Sequence, residues 1–125
     1  MVNFYMRFFL AAITSLAAGC ANLSGRPVPL ASGDYPFVHK YAEHPDMPSI
    51  ELTAQIRGHH IRLINYSQSA VFPIGVIDEG DLLWHASSEQ WIIGETAADA
   101  SASEVGGCSD GPTVVDLERR IYWTC

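Results

Sequence analysis

The chain has 125 residues and a formal net charge of −7, from 14 acidic residues against 7 lysines and arginines. This length provides for one domain with a modest hydrophobic core. The excess of acidic residues argues against nucleic-acid binding, because the electrostatic field of a negatively charged protein repels phosphates and favours cationic partners.

The first predicted element is an export signal. An apolar run at 8–18 follows the single basic residue Arg7, and it is too short to cross a bilayer of about 30 Å as a helix. We therefore expect residues 1–19 to be a signal peptide, with translation starting at Met1 or Met6. Removing Arg7 with this segment leaves 14 acidic residues against six basic ones, a net charge of −8.

The end of this segment, LAAGC at 16–20, resembles the lipobox of bacterial lipoproteins. In that family a diacylglycerol is attached to the cysteine before cleavage, so the resemblance implies that Cys20 is lipidated and anchors the protein to a membrane. Ala21 stands where an aspartate would favour retention in the inner membrane. By the same resemblance we expect sorting to the outer membrane, facing the periplasm.

A tether is predicted to follow the lipidated cysteine. Residues 20–33 lack periodicity and are rich in Gly, Pro and Ser, which is typical of a flexible linker. The folded domain is expected at 34–125. Two further cysteines, Cys108 and Cys125, remain in this domain, and in an oxidising envelope they are expected to form a disulfide.

Apolar residues recur with a period of two from Asp34 onward. In 50–57 they alternate with polar residues, which predicts a strand with one face in the core, and Gly58 then marks a hairpin turn. The same reasoning places strands at 35–41, 50–56, 61–63, 71–77, 82–85, 90–94, 113–117 and 121–124. Pro73 and Gly75 predict a bulged or bent edge strand, and the acidic residues 78–81 predict a turn.

These elements define an all-β fold class. About eight short strands joined largely by tight turns predict a small antiparallel meander with one disulfide, either a closed barrel or a two-layer sandwich. The stretch Thr96 to Glu104 lacks large apolar residues, so a mobile loop is favoured there, with a helical turn as the alternative.

One segment stands out as a possible contact surface. Residues 106–112 contain three glycines, a proline and Cys108, which indicates an exposed loop of fixed shape with Ser109 and Asp110 at its tip as candidate partner contacts. The alternative is that this segment only turns the chain so that Cys108 reaches Cys125.

No catalytic residue, metal site or cofactor is predicted. No serine lies in a Gly-x-Ser-x-Gly elbow. The cysteines are expected to be lipidated or joined in a disulfide, so none is left as a nucleophile and an enzyme is not expected. His39, Glu43, His44 and Asp46 lie in one polar segment, but their spacing matches no known set of metal ligands.

The aromatic residues leave two interpretations open. Trp84, Trp91, Trp123, Phe72 and Tyr122 either fill the interior of the domain or line a cavity for one small ligand.

In size, export signal, acidity and closing disulfide, the chain is similar to the periplasmic lysozyme-inhibitor lipoproteins, which are small antiparallel barrels that bind a cationic enzyme. This resemblance is one of layout, and no inhibitory residue follows from it. It implies a protein-binding or inhibitory module that recognises a cationic envelope protein through surface loops. The alternatives are a lipocalin-like carrier of a small hydrophobic ligand and a structural envelope component.

Overall fold

The computed structural model describes residues 26–125. The predicted signal peptide, Cys20 and the first part of the tether lie outside the described residues. Seven strands follow in chain order: β1 Gly33–Tyr41, β2 Ile50–Arg57, β3 His60–Asn65, β4 Gly75–His85, β5 Gln90–Gly94, β6 Thr113–Asp116 and β7 Ile121–Thr124. A single 3-10 turn, Ala97–Ser101, lies between β5 and β6. No helix within 26–125 has the length and apolar character needed to cross a membrane.

The strands form a closed barrel in sequence order. Each strand pairs antiparallel with the next, and the ring closes where β1 and β7 run parallel, with Val38 opposite Ile121 and Tyr41 opposite Thr124. The predicted all-β fold is confirmed. The predicted disulfide is also present, joining Cys108 to Cys125 with 4.6 Å between their Cα atoms.

The turn predicted at 78–81 is wrong, and the strand count is therefore one lower than expected. These residues lie within β4, which is continuous from Gly75 to His85. Two features keep the chain extended here. Glu79 pairs with Arg62 of β3, and Gly80 lies so close to β5 that an added Cβ would be 2.6 Å from the carbonyl oxygen of Gly94. Gly80 therefore allows the backbones of β4 and β5 to approach closely, and it does not form a turn.

The other local predictions are confirmed only in part. The β2–β3 hairpin turns through Gly58 and His59, with Arg57 opposite His60 and Gly58 at a φ of 60°. The predicted bulge is present in β4, because the pairing register with β3 shifts between Leu63 and Ile64. The predicted edge position is wrong, because β4 pairs with both β3 and β5 in the closed ring. Between 96 and 104 the structure has the helical turn that was the less favoured alternative.

The barrel interior is filled by side chains. Its buried apolar residues are Phe37, Leu52, Ala54, Ile56, Ile61, Leu63, Leu82, Trp91, Ile93, Val115, Leu117 and Tyr122, with Phe72 and Trp84 packed partly against them. A second, smaller cluster of Leu83, Ile92 and Val114 lies on the outer side of the sheet, covered in part by Trp123. Four of the five aromatic residues thus pack in or against the interior cluster, as the core interpretation predicts, whereas Trp123 packs against the outer one.

Residues 26–32, here called the strap, contact the barrel although the sequence assigns them to the tether. Val28 and Leu30 pack against the interior cluster. The hydroxyl oxygen of Ser32 accepts a hydrogen bond from the backbone N–H of Gly58 at 2.9 Å. This part of the chain is therefore held at one end of the barrel.

The connections between strands alternate between the two ends of the barrel. The strap end carries 26–32 and the connections 58–59, 86–89 and 117–120. The far end carries the connections 42–49, 66–74 and 95–112, together with the disulfide. The candidate site lies at the far end.

Candidate functional site: an acidic cleft

A surface cleft of about 340 Å³ opens between β4, the start of β6 and the 95–112 connection. It is called the acidic cleft here. It is lined by Asp78, Glu79, Ile93, Glu95, Asp99, Asp110, Gly111, Pro112 and Thr113. Five of these nine residues carry a carboxylate and none carries a positive charge. The cleft is therefore a concave surface of a single sign.

A hydrogen bond from β7 holds Asp78, one of the carboxylates that line the acidic cleft. The hydroxyl of Tyr122 donates to Oδ2 of Asp78 at 2.9 Å, and Tyr122 is only 5% exposed. Burial, aided by the negative charge of Asp78, raises the pKa of Tyr122 well above its usual range. The phenol therefore stays protonated and holds the Asp78 carboxylate in place.

Glu79 forms part of the wall nearest β3. Its carboxylate lies 2.8 Å from Nε2 of His60 and 3.5 Å from Nε of Arg62. The hydrogen bond from His60 lowers the pKa of Glu79, and the same contact raises the pKa of His60. Glu79 is therefore ionised but shared with two basic neighbours, which reduces its effect on a partner.

Asp99 is fixed by the backbone around it. Its Oδ2 accepts hydrogen bonds from the N–H groups of Glu95 at 2.8 Å and Thr96 at 3.2 Å. This interaction caps the 3-10 turn at its start, where a carboxylate satisfies N–H groups that have no partner within the turn. The capped 3-10 turn thereby positions Glu95 at the rim of the acidic cleft.

The structure separates the roles of the two residues predicted at the tip of the 106–112 loop. Asp110 is exposed and lines the acidic cleft. The Ser109 hydroxyl instead donates to the carbonyl oxygen of Gly106 at 2.7 Å and accepts from the N–H of Gly111 at 3.3 Å. Ser109 therefore maintains the shape of the loop, and Asp110 is the one of the two that lines the acidic cleft.

The loop that carries Asp110 is tied at two points. The disulfide joins Cys108 to Cys125 at the end of the chain, and the N–H of Gly106 donates to the carbonyl oxygen of Pro112 at 2.8 Å. These links close the loop at its base. The wall of the acidic cleft is thus held in one arrangement before any partner arrives, which reduces the entropy lost on binding.

Sequence reasoning missed the four other carboxylates of the acidic cleft. The sequence predicts Asp78 and Glu79 in a turn and Asp99 in a mobile loop, and it assigns Glu95 to no element. They meet because β4 and β5 pair in a register that sets Asp81 opposite Gly94. Acidic composition was the available signal, but strand register cannot be obtained from the spacing of charges.

The acidic cleft does not have the arrangement of a metal centre. Within 26–125 no group of three or more His, Cys, Asp and Glu side chains is placed to hold a metal ion. Among the four residues considered at 39–46, His39 is separated from the others. His39 points into the interior, with Nε2 at 2.7 Å from Oγ1 of Thr124, while His44 is exposed on the 42–49 connection.

A larger cleft of about 720 Å³ lies on the outer face of β1 and β2. Its charged lining residues are Asp34, Glu51, Arg119 and Arg120, so the two signs balance. Although this cleft is larger, its balanced charges do not favour a partner of either sign. The acidic cleft, which carries charges of one sign, is therefore the more specific candidate site.

Comparison with protein-family models, curated proteins and solved structures finds no match to this chain. Fold and site together define it as a small closed barrel with a preformed acidic cleft at one end. Its function is inferred from that geometry and from the sequence.

Proposed function

We propose that the protein is a lipid-anchored protein of the bacterial envelope, located at the outer membrane and facing the periplasm, that binds a cationic protein in its acidic cleft. The observation that supports the binding role is the lining of the cleft, with five carboxylates and no lysine or arginine. The lipobox resemblance at Cys20 supports the anchor and the location. The proposal assigns no catalysis and no cofactor to the protein.

The electrostatics of the acidic cleft suit a protein partner. A concave surface lined by one sign of charge focuses the field and accelerates association with an oppositely charged molecule. The carboxylates of Glu95 and Asp110 have no hydrogen-bonding or ionic partner in the described part of the chain. They are therefore ready to pair with lysine or arginine side chains of a partner.

The packing of the barrel favours surface binding over the carrier alternative. A lipocalin-like carrier needs an interior cavity for its ligand, whereas residues such as Ile56, Ile61, Leu63 and Leu82 are completely buried within the barrel. The resemblance in layout to lysozyme-inhibitor lipoproteins also supports a cationic protein as the partner.

The binding role is tested by calorimetric titration of the mature protein with a lysozyme, used as a cationic protein probe. The variant Glu95→Gln/Asp110→Asn removes two charges at nearly constant shape. Because exposed ion pairs contribute about 0.2–1 kcal/mol each, its affinity should fall between about 2-fold and about 30-fold. Raising the salt concentration should weaken wild-type binding and reduce this difference.

The matched control is Glu43→Gln/Asp46→Asn. These residues are exposed on the 42–49 connection at the same end of the barrel, and the control changes the net charge by the same amount. It should lower the affinity by a smaller factor than the cleft variant. An equal loss of affinity in both variants would mean that only the net charge of the protein matters. If the wild type does not bind lysozyme at all, the proposal of a cationic protein partner is rejected.

The anchor is tested separately by mass spectrometry of protein extracted from membranes of the native host. A diacylglycerol mass on Cys20 is the expected result. A peptide that begins at Cys20 without this mass would refute the lipid anchor and leave the binding role to stand on the titration.

A further inference from the structure

The strap determines where the chain leaves the barrel. Val28 and Leu30 pack against the interior cluster, and the guanidinium carbon of Arg26 lies 3.7 Å from the centre of the Trp84 ring. The first described residue is therefore held at the strap end. From Cys20 to Arg26 an extended chain spans at most about 20 Å, so an anchor on Cys20 keeps that end near the lipid surface.

The two ends of the barrel differ sharply in charge. The strap-end connections contain Arg26, Arg119 and Arg120 against Glu89 and Glu118. The far-end connections contain six acidic residues and no lysine or arginine: Glu43, Asp46, Glu95, Asp99, Glu104 and Asp110. Arg119 is also paired with Asp116 at 2.7 Å. The strap end is therefore close to neutral and the far end strongly negative.

The arginines of the strap end also lie over aromatic rings. The pairs are Arg26 with Trp84 at 3.7 Å, Arg119 with Trp123 at 6.0 Å and Arg120 with Tyr35 at 5.1 Å. Tryptophan and tyrosine rings are favoured at the boundary between lipid headgroups and water. Arg119 is paired with Asp116, whereas Arg120 has no carboxylate partner within 26–125, so the Arg120 guanidinium can bond a phosphate in a bidentate manner.

We propose that the strap end is an interaction surface for an anionic bilayer, so that the anchored domain stands with its acidic cleft pointing away from the membrane. This inference rests on the anchor in the proposed function. The negative charge of the bilayer repels the far end of the barrel, and the short chain from Cys20 keeps the strap end close to the lipid. Both effects therefore favour the same orientation of the domain. The cleft is then displayed to partners in the compartment, not to the lipid.

The test uses lipidated, full-length protein reconstituted into vesicles that contain phosphatidylglycerol. One fluorescent label is placed at Ser87→Cys, exposed in the strap-end connection 86–89, and another at Gln68→Cys, exposed in the far-end connection 66–74. Each is quenched by a lipid that carries a nitroxide on its headgroup. We expect several-fold stronger quenching of the Ser87→Cys label, and equal quenching of the two labels would overturn the orientation.

Two variants separate the strap from the anchor. A Gly-Ser insertion directly before Arg26 lengthens the connection without changing the strap, and it should reduce quenching of the Ser87→Cys label. The triple variant Arg26→Ala/Val28→Ser/Leu30→Ser should release the strap and bring the two labels towards equal quenching, with circular dichroism as the check on folding. If neither variant changes the quenching ratio, the strap does not orient the domain.

These outcomes are distinguishable from failure of the proposed function. Absence of lipid on Cys20 would overturn the anchor and this orientation together. Lipid on Cys20 with equally quenched labels would overturn the orientation alone. Lysozyme titration of the detergent-solubilised protein reports on the acidic cleft in either case.

Discussion

Replacing both Cys108 and Cys125 with serine should lower the free energy of unfolding by about 3 kcal/mol. The bond joins residues 17 apart in sequence, and in the chain-entropy model its removal returns the corresponding loop freedom to the unfolded chain. Both cysteines are exposed, so the substitution leaves no buried cavity. The loss should therefore come from loop closure alone.

For a domain of this size, about 3 kcal/mol corresponds to a decrease in Tm of about 12–24 °C. Differential scanning calorimetry of the mature wild type and the double serine variant measures this directly. The wild type under full reduction is the control and should melt near the variant. A loss below about 1 kcal/mol would refute the reasoning, because the loop would then be closed without the disulfide.

The same variant makes a functional prediction. Asp110 lies two residues from Cys108 and forms part of the wall of the acidic cleft. Without the disulfide, only hydrogen bonds such as that from Gly106 to Pro112 still close the loop. Lysozyme affinity should therefore fall in the double serine variant, mostly through an unfavourable binding entropy, because the loop must be ordered on binding.

Three further predictions follow from single side chains. Gly80→Ala should destabilise the barrel by about 1–3 kcal/mol in urea titrations, because its Cβ meets the backbone of β5, whereas Gly33→Ala meets only ordinary contacts and should have little effect. His39 is completely buried and its pKa is lowered by burial, so its contribution to stability should be present above about pH 6.5 and lost as the pH falls below that value. His39→Gln should remove this part of the dependence of the unfolding free energy on pH. The measurement is made in a His60→Gln background, because the raised pKa of His60 gives the opposite trend. Asn65→Ala should cost about 1–3 kcal/mol and increase proteolysis in 66–74, because the buried Asn65 amide donates to two carbonyl groups of that connection.

Much of the fold follows from period-two alternation along the chain. β2 and β3 were predicted by this pattern, with their hairpin at Gly58, and β5 and β7 were placed within their observed bounds. The disulfide is predicted from the number of cysteines and from the expectation of an oxidising compartment. These features are local or compositional, so a single sequence contains the information needed to find them.

The misassigned segment 78–81 shows what the sequence does not contain. Three acids and a glycine in a row have the composition of a turn, yet the structure gives them partners on other strands, including Arg62 on β3 and Tyr122 on β7. Those partners are distant in sequence. Tertiary contacts therefore decide the conformation, and local propensity does not.

The acidic cleft was only partly predictable for the same reason. Asp110 was identified because glycines and a cystine mark its loop, but Glu79 and Asp99 reach the same surface only through the pairing of β4 with β5. Charge composition indicates only that the surface is acidic, and strand register determines where the charges converge.

A single short strand links barrel closure to the acidic cleft. β7 closes the ring by pairing with β1, and its Tyr122 holds the cleft residue Asp78 by a hydrogen bond. It also leads directly into Cys125, whose disulfide holds the loop that carries Asp110. The positions of Asp78 and of the Asp110 loop therefore both depend on the strand that completes the barrel, Ile121–Thr124. Weakening the β1–β7 pairing should thus disturb the cleft before it unfolds the core, because the interior cluster is packed mainly by the longer strands β1 to β4.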